Sequence, residues 1–303
     1  MLEGAPMLFN GNVVDPKTSM PSVHNRAFLF ADGCFESMRW TDGRIPLLSL
    51  HLARLKDALV TFGMDIPEGL NLTNLEASLQ AWSQQWPWSG DVRIRLTAFR
   101  EGAGAYAPST DGVSWVATGA PLSEVGFRLP GKGLAVDVYQ DAVKHASPWA
   151  KYKTLAATLY VQAARHASQQ GWGDALILNA DQHLIESSRS NLFVVSNGVL
   201  YTPGLEAGCV GGIMRSVAIQ TAMNHGMKVY ECALTPQTLL QADEVFLTNA
   251  VRGIEWVASY KTKRYFHATS EKLTAWIQED WCAPIIEGEP SGPTTRTEGL
   301  PQG

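Results

Sequence analysis

ALILNADQHLIESSRSNLFVVSNGVLY, the stretch from Ala175 to Tyr201, reads as a β-meander. Ala175 to Leu178 and Asn191 to Val195 are apolar runs of strand length, His183 to Ile185 is a shorter run between them, and Val199 to Tyr201 follows. Asn179-Ala180-Asp181 and Ser196-Asn197-Gly198 supply the turns, because Asn, Asp and Gly accept the backbone conformations that tight hairpin loops require. The polar run from Glu186 to Ser190 therefore falls inside what should be the core of a sheet.

On the C-terminal side, Gly211-Gly212 leads into a helix through about His225. Strands follow at Lys228 to Cys232, Val245 to Thr248 and Gly253 to Ser259, with a closing helix from Ser270 to Trp281. On the N-terminal side lie a strand at Leu134 to Tyr139, an irregular segment ending at Lys153, and a helix from Thr154 to about Gln170 that Gly171 terminates.

The first third alternates strand and helix. Met7 to Val14 and Phe35 to Trp40 read as strands, and a turn at Thr41-Asp42-Gly43 with Arg44 to Leu47 completes a hairpin. Leu52, Leu55, Leu59 and Phe62 recur at helical spacing in a segment that contains Arg54. Asn71 to Trp86 is a second helix with Asn71 or Thr73 as its cap. Val92 to Phe99 alternates Arg93 and Arg95 with Val92, Ile94 and Leu96, as a half-buried strand does, and Val113 to Thr118 is its neighbour. A Gly- and Pro-containing stretch then breaks the pattern. The expected organisation is a small domain over 1–120, a linker over 121–132, a larger domain over 133–285 and a disordered tail over 286–303.

Composition narrows the function classes. The 45% hydrophobic and 17% charged content of 303 residues suits a protein with a sizeable core. A formal charge of -5, with no long block of either sign, gives no footprint for nucleic acid. Cys34, Cys209, Cys232 and Cys282 have neither disulfide-scaffold nor metal-ligand spacing, so no metal is expected. No apolar stretch reaches membrane-spanning length, and the first residues lack the basic and apolar regions of a signal peptide. A cytoplasmic enzyme is the default expectation.

Three separated features suit a phosphate-bearing cofactor. Two glycines at a helix start let backbone N–H groups approach a phosphate closely, although such a pair is more often structural. Lys153 lies between Trp149-Ala150 and Leu155-Ala156-Ala157, where partial desolvation lowers an amine's pKa; from composition alone a surface lysine is the more ordinary reading. Glu186 needs a partner, and an ion pair with Arg189 is the plain account.

Taken together, Asn25 to Phe28, Asp32-Gly33-Cys34-Phe35-Glu36, His51-Leu52-Ala53-Arg54-Leu55, Lys153-Thr154-Leu155, Ile185 to Phe193, Gly212-Ile213-Met214-Arg215 and Ala242 to Phe246 occur in the order seen in class IV aminotransferases. The chain resembles this family, fold type IV of the pyridoxal-phosphate enzymes, from about Met7 to Trp281. The family includes branched-chain and D-amino acid aminotransferases and aminodeoxychorismate lyase. The resemblance implies a mixed α and β, D-amino acid aminotransferase-like fold: a small N-terminal α/β sandwich and a larger domain with a barrel-like mixed sheet.

It also implies roles. Lys153, with Lys151 as its rival, holds pyridoxal 5'-phosphate covalently and carries the α-proton; Glu186 faces the pyridine nitrogen. Arg54, the backbone of Ile213 and Met214, and the loop Thr248-Asn249-Ala250 bind the phosphate. Phe35, Arg95, Arg100 and Arg252 border the substrate. The substrates are an amino acid and a 2-oxo acid, and a loop from a second subunit completes the pocket in a homodimer.

The subgroup stays open. Ala157-Thr158 stands where branched-chain enzymes carry Asn-Tyr, Phe35 where D-amino acid aminotransferases carry Tyr, and Gly104-Ala105 lacks the basic residue common in the lyases. An aminotransferase is the primary expectation and a pyruvate-releasing aminodeoxychorismate lyase the alternative. A non-catalytic binding module is disfavoured, because Lys153, Glu186 and Arg54 are all present.

Overall fold

The computed structural model describes residues 5–15, 17, 22–123 and 126–282. The expected tail, 286–303, lies outside them. Two sheets carry the chain.

The first consists of β1 (Met7–Phe9), β2 (Asn12–Val14), β3 (Gly33–Trp40), β4 (Val92–Arg100) and β5 (Val113–Pro121), in the order β2-β1-β5-β4-β3 with all neighbours antiparallel. The run read as a single strand from Met7 to Val14 is a hairpin. Asn10 (φ 48°) and Gly11 (φ 87°) make its two-residue left-handed turn, the conformation that Asn-Gly favours.

The expected strand at Arg44 to Leu47 does not form. Only Thr41 and Arg44 pair, Pro46 has no N–H to offer a neighbour, and Leu47 turns left-handed (φ 62°) into a helix. A short helix that the sequence reading did not include, α1 (Arg26–Phe30), is capped by Asn25 and leads into β3.

Two longer helices, α2 (Leu48–Thr61) and α3 (Leu72–Ser83), cover one face of this sheet. Their buried residues Leu52, Leu55, Leu59, Leu75, Leu79 and Trp82 share a core with Met38, Ile94 and Leu96. Asn71 is the cap of α3, accepting the Asn74 N–H. That helix stops at Ser83, short of the expected Trp86, whose ring packs instead against Trp40, Trp82 and Trp88.

Strand alternation sends the other side chains away from the helices. Register pairs Ser37 with Arg95 and Phe35 with Thr97, so Phe35, Ser37, Arg93 and Arg95 share the opposite face.

The second sheet contains β6 (Leu134–Val138), β7 (Asp174–Leu178), β8 (Leu184–Ser187), β9 (Asn191–Ser196), β10 (Val199–Thr202), β11 (Val229–Glu231), β12 (Glu244–Asn249), β13 (Gly253–Tyr260) and β14 (Lys263–Arg264). Six of these close on themselves in the order β9-β12-β13-β6-β7-β8, and the Glu186–Asn191 pair joins β8 back to β9. β6 runs parallel to both its neighbours, β7 and β13, and the other pairs of the ring are antiparallel, which makes the barrel mixed. The meander from Ala175 to Tyr201 is therefore half of the barrel wall plus one appended strand.

Four helices dress the barrel. The helix after Lys153, α4 (Thr158–Gln170), begins four residues later than expected and ends at Gly171 (φ 71°). Ala163 and Ala167 are its buried residues, in a cluster with Ala175 and Ile177. Next, α5 (Ile213–Asn224) starts directly after Gly212, and α6 (Pro236–Gln241) carries a capping box between Thr235 and Thr238 that escaped the sequence reading. The closing helix α7 (Ala268–Ile277) continues as a π-helical turn, Gln278–Cys282. Among the described residues no helix is long and apolar enough to cross a membrane.

Lys153 to Leu155 are extended rather than helical because they pair with the exposed edge of β3. The Phe35 N–H donates to the Lys153 carbonyl (2.8 Å) and the Leu155 N–H to the Gly33 carbonyl (3.0 Å). Gly33 is packed on both sides: a Cβ there would lie 2.4 Å from the Ala98 carbonyl oxygen and 3.0 Å from Leu155 Cδ1. Gly33→Ala is therefore expected to destabilise the fold by about 2 kcal/mol through overpacking against backbone. Urea unfolding checks this as a lower midpoint at an unchanged slope.

Candidate active site

A cavity of about 520 Å³ opens between the cavity-facing side of the first sheet and one end of the barrel. Lys153 enters it from the extended segment, with its amine 4.9 Å from the centroid of the Phe35 ring. Burial, and then the charge of Arg54, bring the pKa of this amine down to about 8, against the opposing pull of Glu36 and Glu186. Lys151 does not line the cavity. Its half-exposed side chain lies 3.7 Å from Asp57 and over the Tyr152 ring, while its carbonyl accepts the Gly211 N–H (2.9 Å).

Glu186 projects from β8 and is buried. Its Oε1 accepts from Lys144 Nζ (2.8 Å) and the Tyr160 hydroxyl (2.8 Å), and its Oε2 accepts the Val210 N–H (2.8 Å). The expected pairing with Arg189 is not made. A turn from Ser187 to Ser190 separates the two residues, and Arg189 instead lies 3.5 Å from Asp174 and 3.7 Å from Glu255. Lys144 and Tyr160 were not singled out in the sequence. Lys144 lies 42 positions before its partner and carries no local signal, whereas Tyr160 could have been found as a polar tip on the first turn of α4.

The glycine-led start of α5 borders the same cavity. A Cβ on Gly212 would meet Asn191 Oδ1 at 2.0 Å, so a larger residue there would have to displace the Asn191 side chain, which donates to the Val210 carbonyl (2.6 Å). The N–H groups of Ile213 and Met214 belong to the first turn and have no acceptor within the helix. Nearby, the Thr248 hydroxyl is buried and lacks any hydrogen-bond partner.

The Asn249 side chain is committed to shaping its own loop. It donates to Ser190 Oγ (2.9 Å) and Glu255 Oε2 (3.3 Å) and accepts the N–H groups of Val251 (3.0 Å) and Arg252 (2.8 Å). The loop residues Thr248, Asn249 and Ala250 all line the cavity, and the Asn249 side chain is the one already committed.

From α2, Arg54 donates to Glu36 through Nε (2.7 Å) and Nη2 (2.6 Å), and through Nη1 to the Gly211 carbonyl (2.7 Å). Arg39 ties the sheets at another point, donating to the Val251 carbonyl (2.8 Å) while Asp91 holds its Nε at 2.5 Å.

The substrate arginines divide. Arg95 lines the cavity with its guanidinium carbon 3.5 Å from the Phe35 ring centroid, and burial followed by the charge of Arg93 lowers its pKa to about 10. Arg93, absent from the expected set, lines the cavity two residues away on the same strand face. Among the described residues neither has an acidic partner within ion-pair distance. Arg252 is a half-exposed lining residue 3.8 Å from Glu255.

Arg100 departs from the expectation and does not line the cavity. It is buried on Asp32, Asp111 and the carbonyls of Phe62 (2.6 Å) and Gly63 (3.0 Å). Its position is even on a strand whose odd positions, Arg93 and Arg95, face the cavity.

Comparison with known proteins agrees with this geometry. A protein of Methanocaldococcus jannaschii, provisionally named a branched-chain-amino-acid aminotransferase, is 32% identical over 266 residues, 81% of this chain and 84% of its own. The aminodeoxychorismate lyase of Vibrio harveyi is 26% identical over 246 residues, 79% of this chain and 86% of its own. A solved branched-chain aminotransferase from Thermoproteus uzoniensis has the same fold, with a TM-score of 0.81 at 22% identity over 91% of this chain and 94% of that one. Residues 33–260, which include Arg54, Lys153 and Glu186, match the model of the family described as amino-transferase class IV, and the chain therefore belongs to the class IV aminotransferases, a family of pyridoxal-phosphate-dependent enzymes.

Proposed function

We propose that this chain binds pyridoxal 5'-phosphate on Lys153 and transfers an amino group between an amino acid and a 2-oxo acid. The observation that carries the reading is a single cavity in which a depressed-pKa amine, a buried carboxylate and a glycine-led helix start converge.

The residues present fit the cofactor. The orphaned Thr248 hydroxyl, the uncommitted N–H groups of Ile213 and Met214, and Arg54 form a set of donors suited to a phosphate. The bound cofactor supplies an aldehyde that takes up amines and a protonated ring that accepts the electron pair left at the substrate's α-carbon. Glu186 has three donors on its two oxygens, which leaves Oε2 with room to accept one more, as a protonated ring nitrogen requires. Lys153, with a pKa near 8, has a substantial neutral fraction close to neutral pH and can both take and return a proton at the α-carbon. Arg95, Arg93 and Arg252 are the groups for substrate carboxylates.

Arg93 and Arg95, side by side on one strand face without acidic partners among the described residues, suit a substrate with two carboxylates, which the second reading for the same site, an aminodeoxychorismate lyase, also requires. That is compatible with aminodeoxychorismate and pyruvate release as well as with 2-oxoglutarate as amino acceptor. Incubating the enzyme with amino donors and 2-oxoglutarate should yield glutamate. Pyruvate from aminodeoxychorismate without net transfer would replace the first reading by the second.

A homodimer is part of this proposal. Phe28 (76% exposed) and Leu29 on α1 and Tyr106 (88% exposed), whose ring lies 5.7 Å from that of Phe30, are exposed apolar side chains, and buried Arg26 ties α1 to this loop through the carbonyls of Gly104, Ala105 and Tyr106. A second copy is the natural cover for such side chains, and a concentration-independent monomer in sedimentation would remove it from the proposal.

Lys153→Ala is expected to abolish covalent retention of the cofactor after borohydride reduction, as read by mass spectrometry, while Lys151→Ala retains it. Cofactor uptake by the wild type should rise with pH through about 8, because the neutral amine is the nucleophile. A midpoint near the ordinary lysine value contradicts this. Glu186→Gln should keep the cofactor but lose about 100-fold or more in turnover, since a neutral partner no longer favours the protonated ring.

A further inference from the structure

Glu36 occupies a face of β3 where a carboxylate is unexpected. Its neighbours on that face, Cys34 and Met38, are core residues beneath α2, whereas Phe35 and Ser37 face the cavity. A buried anion is costly unless it is paired and hydrogen-bonded. Glu36 meets Arg54 with both oxygens, and His51 Nδ1 lies 2.7 Å from its Oε2. His51 and Arg54 are three residues apart on α2, so one helix face supplies both partners. Burial alone would raise the pKa of Glu36, but the charge of Arg54 and the hydrogen bonds from His51 and Arg54 hold it at about 2.

This pairing sets the direction of Arg54. A guanidinium has five N–H groups. Glu36 takes the edge formed by Nε and Nη2, and the Gly211 carbonyl takes one N–H of Nη1. One N–H on each terminal nitrogen is left, so two donors remain for a phosphate. The carboxylate also has an opposite effect, because its charge screens that of Arg54. An oriented pair of donors outweighs bare charge when a phosphate is bound by an otherwise flexible side chain.

We propose that Glu36, itself held by His51, is a positioning residue that aims the remaining donors of Arg54 at a phosphate seated by the start of α5. The inference rests on the reading that Arg54 and the start of α5 bind the cofactor's phosphate.

Absorbance titration of cofactor-free protein with pyridoxal 5'-phosphate and with pyridoxal, which lacks the phosphate, separates the two ideas. The wild type should prefer the phosphorylated form, and Arg54→Ala should remove most of that preference. Glu36→Gln is expected to cut the preference, the ratio of the two affinities, at least tenfold, since any change in Lys153 protonation acts on both ligands alike, and His51→Gln to cut it less and in the same direction. If Glu36→Gln fails to fold, His51→Gln carries the test alone.

A preserved or increased preference in the Glu36 and His51 variants, with Arg54→Ala behaving as expected, overturns the positioning role and leaves the phosphate reading standing. Equal loss for both ligands overturns it too, since that is the mark of a purely structural residue. An unchanged preference in Arg54→Ala overturns the phosphate reading and this inference together.

Discussion

Two backbone hydrogen bonds, from Phe35 to the Lys153 carbonyl and from Leu155 to the Gly33 carbonyl, determine where the chemistry can be. β3 is the last strand of its sheet, and its outer edge presents N–H and C=O groups that need partners. The segment that leaves the barrel end at Lys144 and Ala150 supplies them, and in doing so it becomes extended for three residues. An extended backbone sends its side chains alternately to either side. Lys153 projects into the cavity beside Phe35, while Lys151, in the turn that precedes the extended run, stays on the surface near Asp57.

Around that amine the charges are nearly balanced, and the balance is local. Arg54 and Arg95 disfavour its protonation, Glu36 and Glu186 favour it, and burial tips the result toward the neutral form. Each carboxylate is held by groups of its own: Glu36 by Arg54 and His51, Glu186 by Lys144, Tyr160 and the Val210 N–H. Neither collapses onto Lys153, so the amine stays free to meet an aldehyde. Beyond that balance Arg93 adds a further positive charge to the cavity lining.

The sequence was most legible where a local pattern and the tertiary structure coincide. The barrel meander, the Asn197-Gly198 turn, the capped α3 and the helix opened by Gly212 could all be read, because each is decided by residues a few positions apart. The start of α4 was misread because Leu155, Ala156 and Ala157 are compatible with helix, and only the distant edge of β3 makes the preceding residues extended. The Met7 to Val14 hairpin was legible and overlooked, since Asn10-Gly11 is a strong turn signal. Arg95 and Arg100 look alike in a list of candidates, yet the parity of β4 separates them. Glu186 lacked a visible partner in sequence because its real ones come from three separate elements.

The tie between Arg39 and the Val251 carbonyl has a mechanical consequence. It fastens the first sheet to the barrel at a point well separated in sequence from the Lys153 segment, so that, with the Arg54 bond to the Gly211 carbonyl, the two halves are riveted at three points around one cleft. Swinging them apart as rigid bodies would require breaking both arginine bonds and a strand-like pairing together. Passage of small molecules must then rely on rearrangement of rim side chains such as Arg93 and Arg252, which gives this cleft the behaviour of a fixed vessel with an adjustable lip.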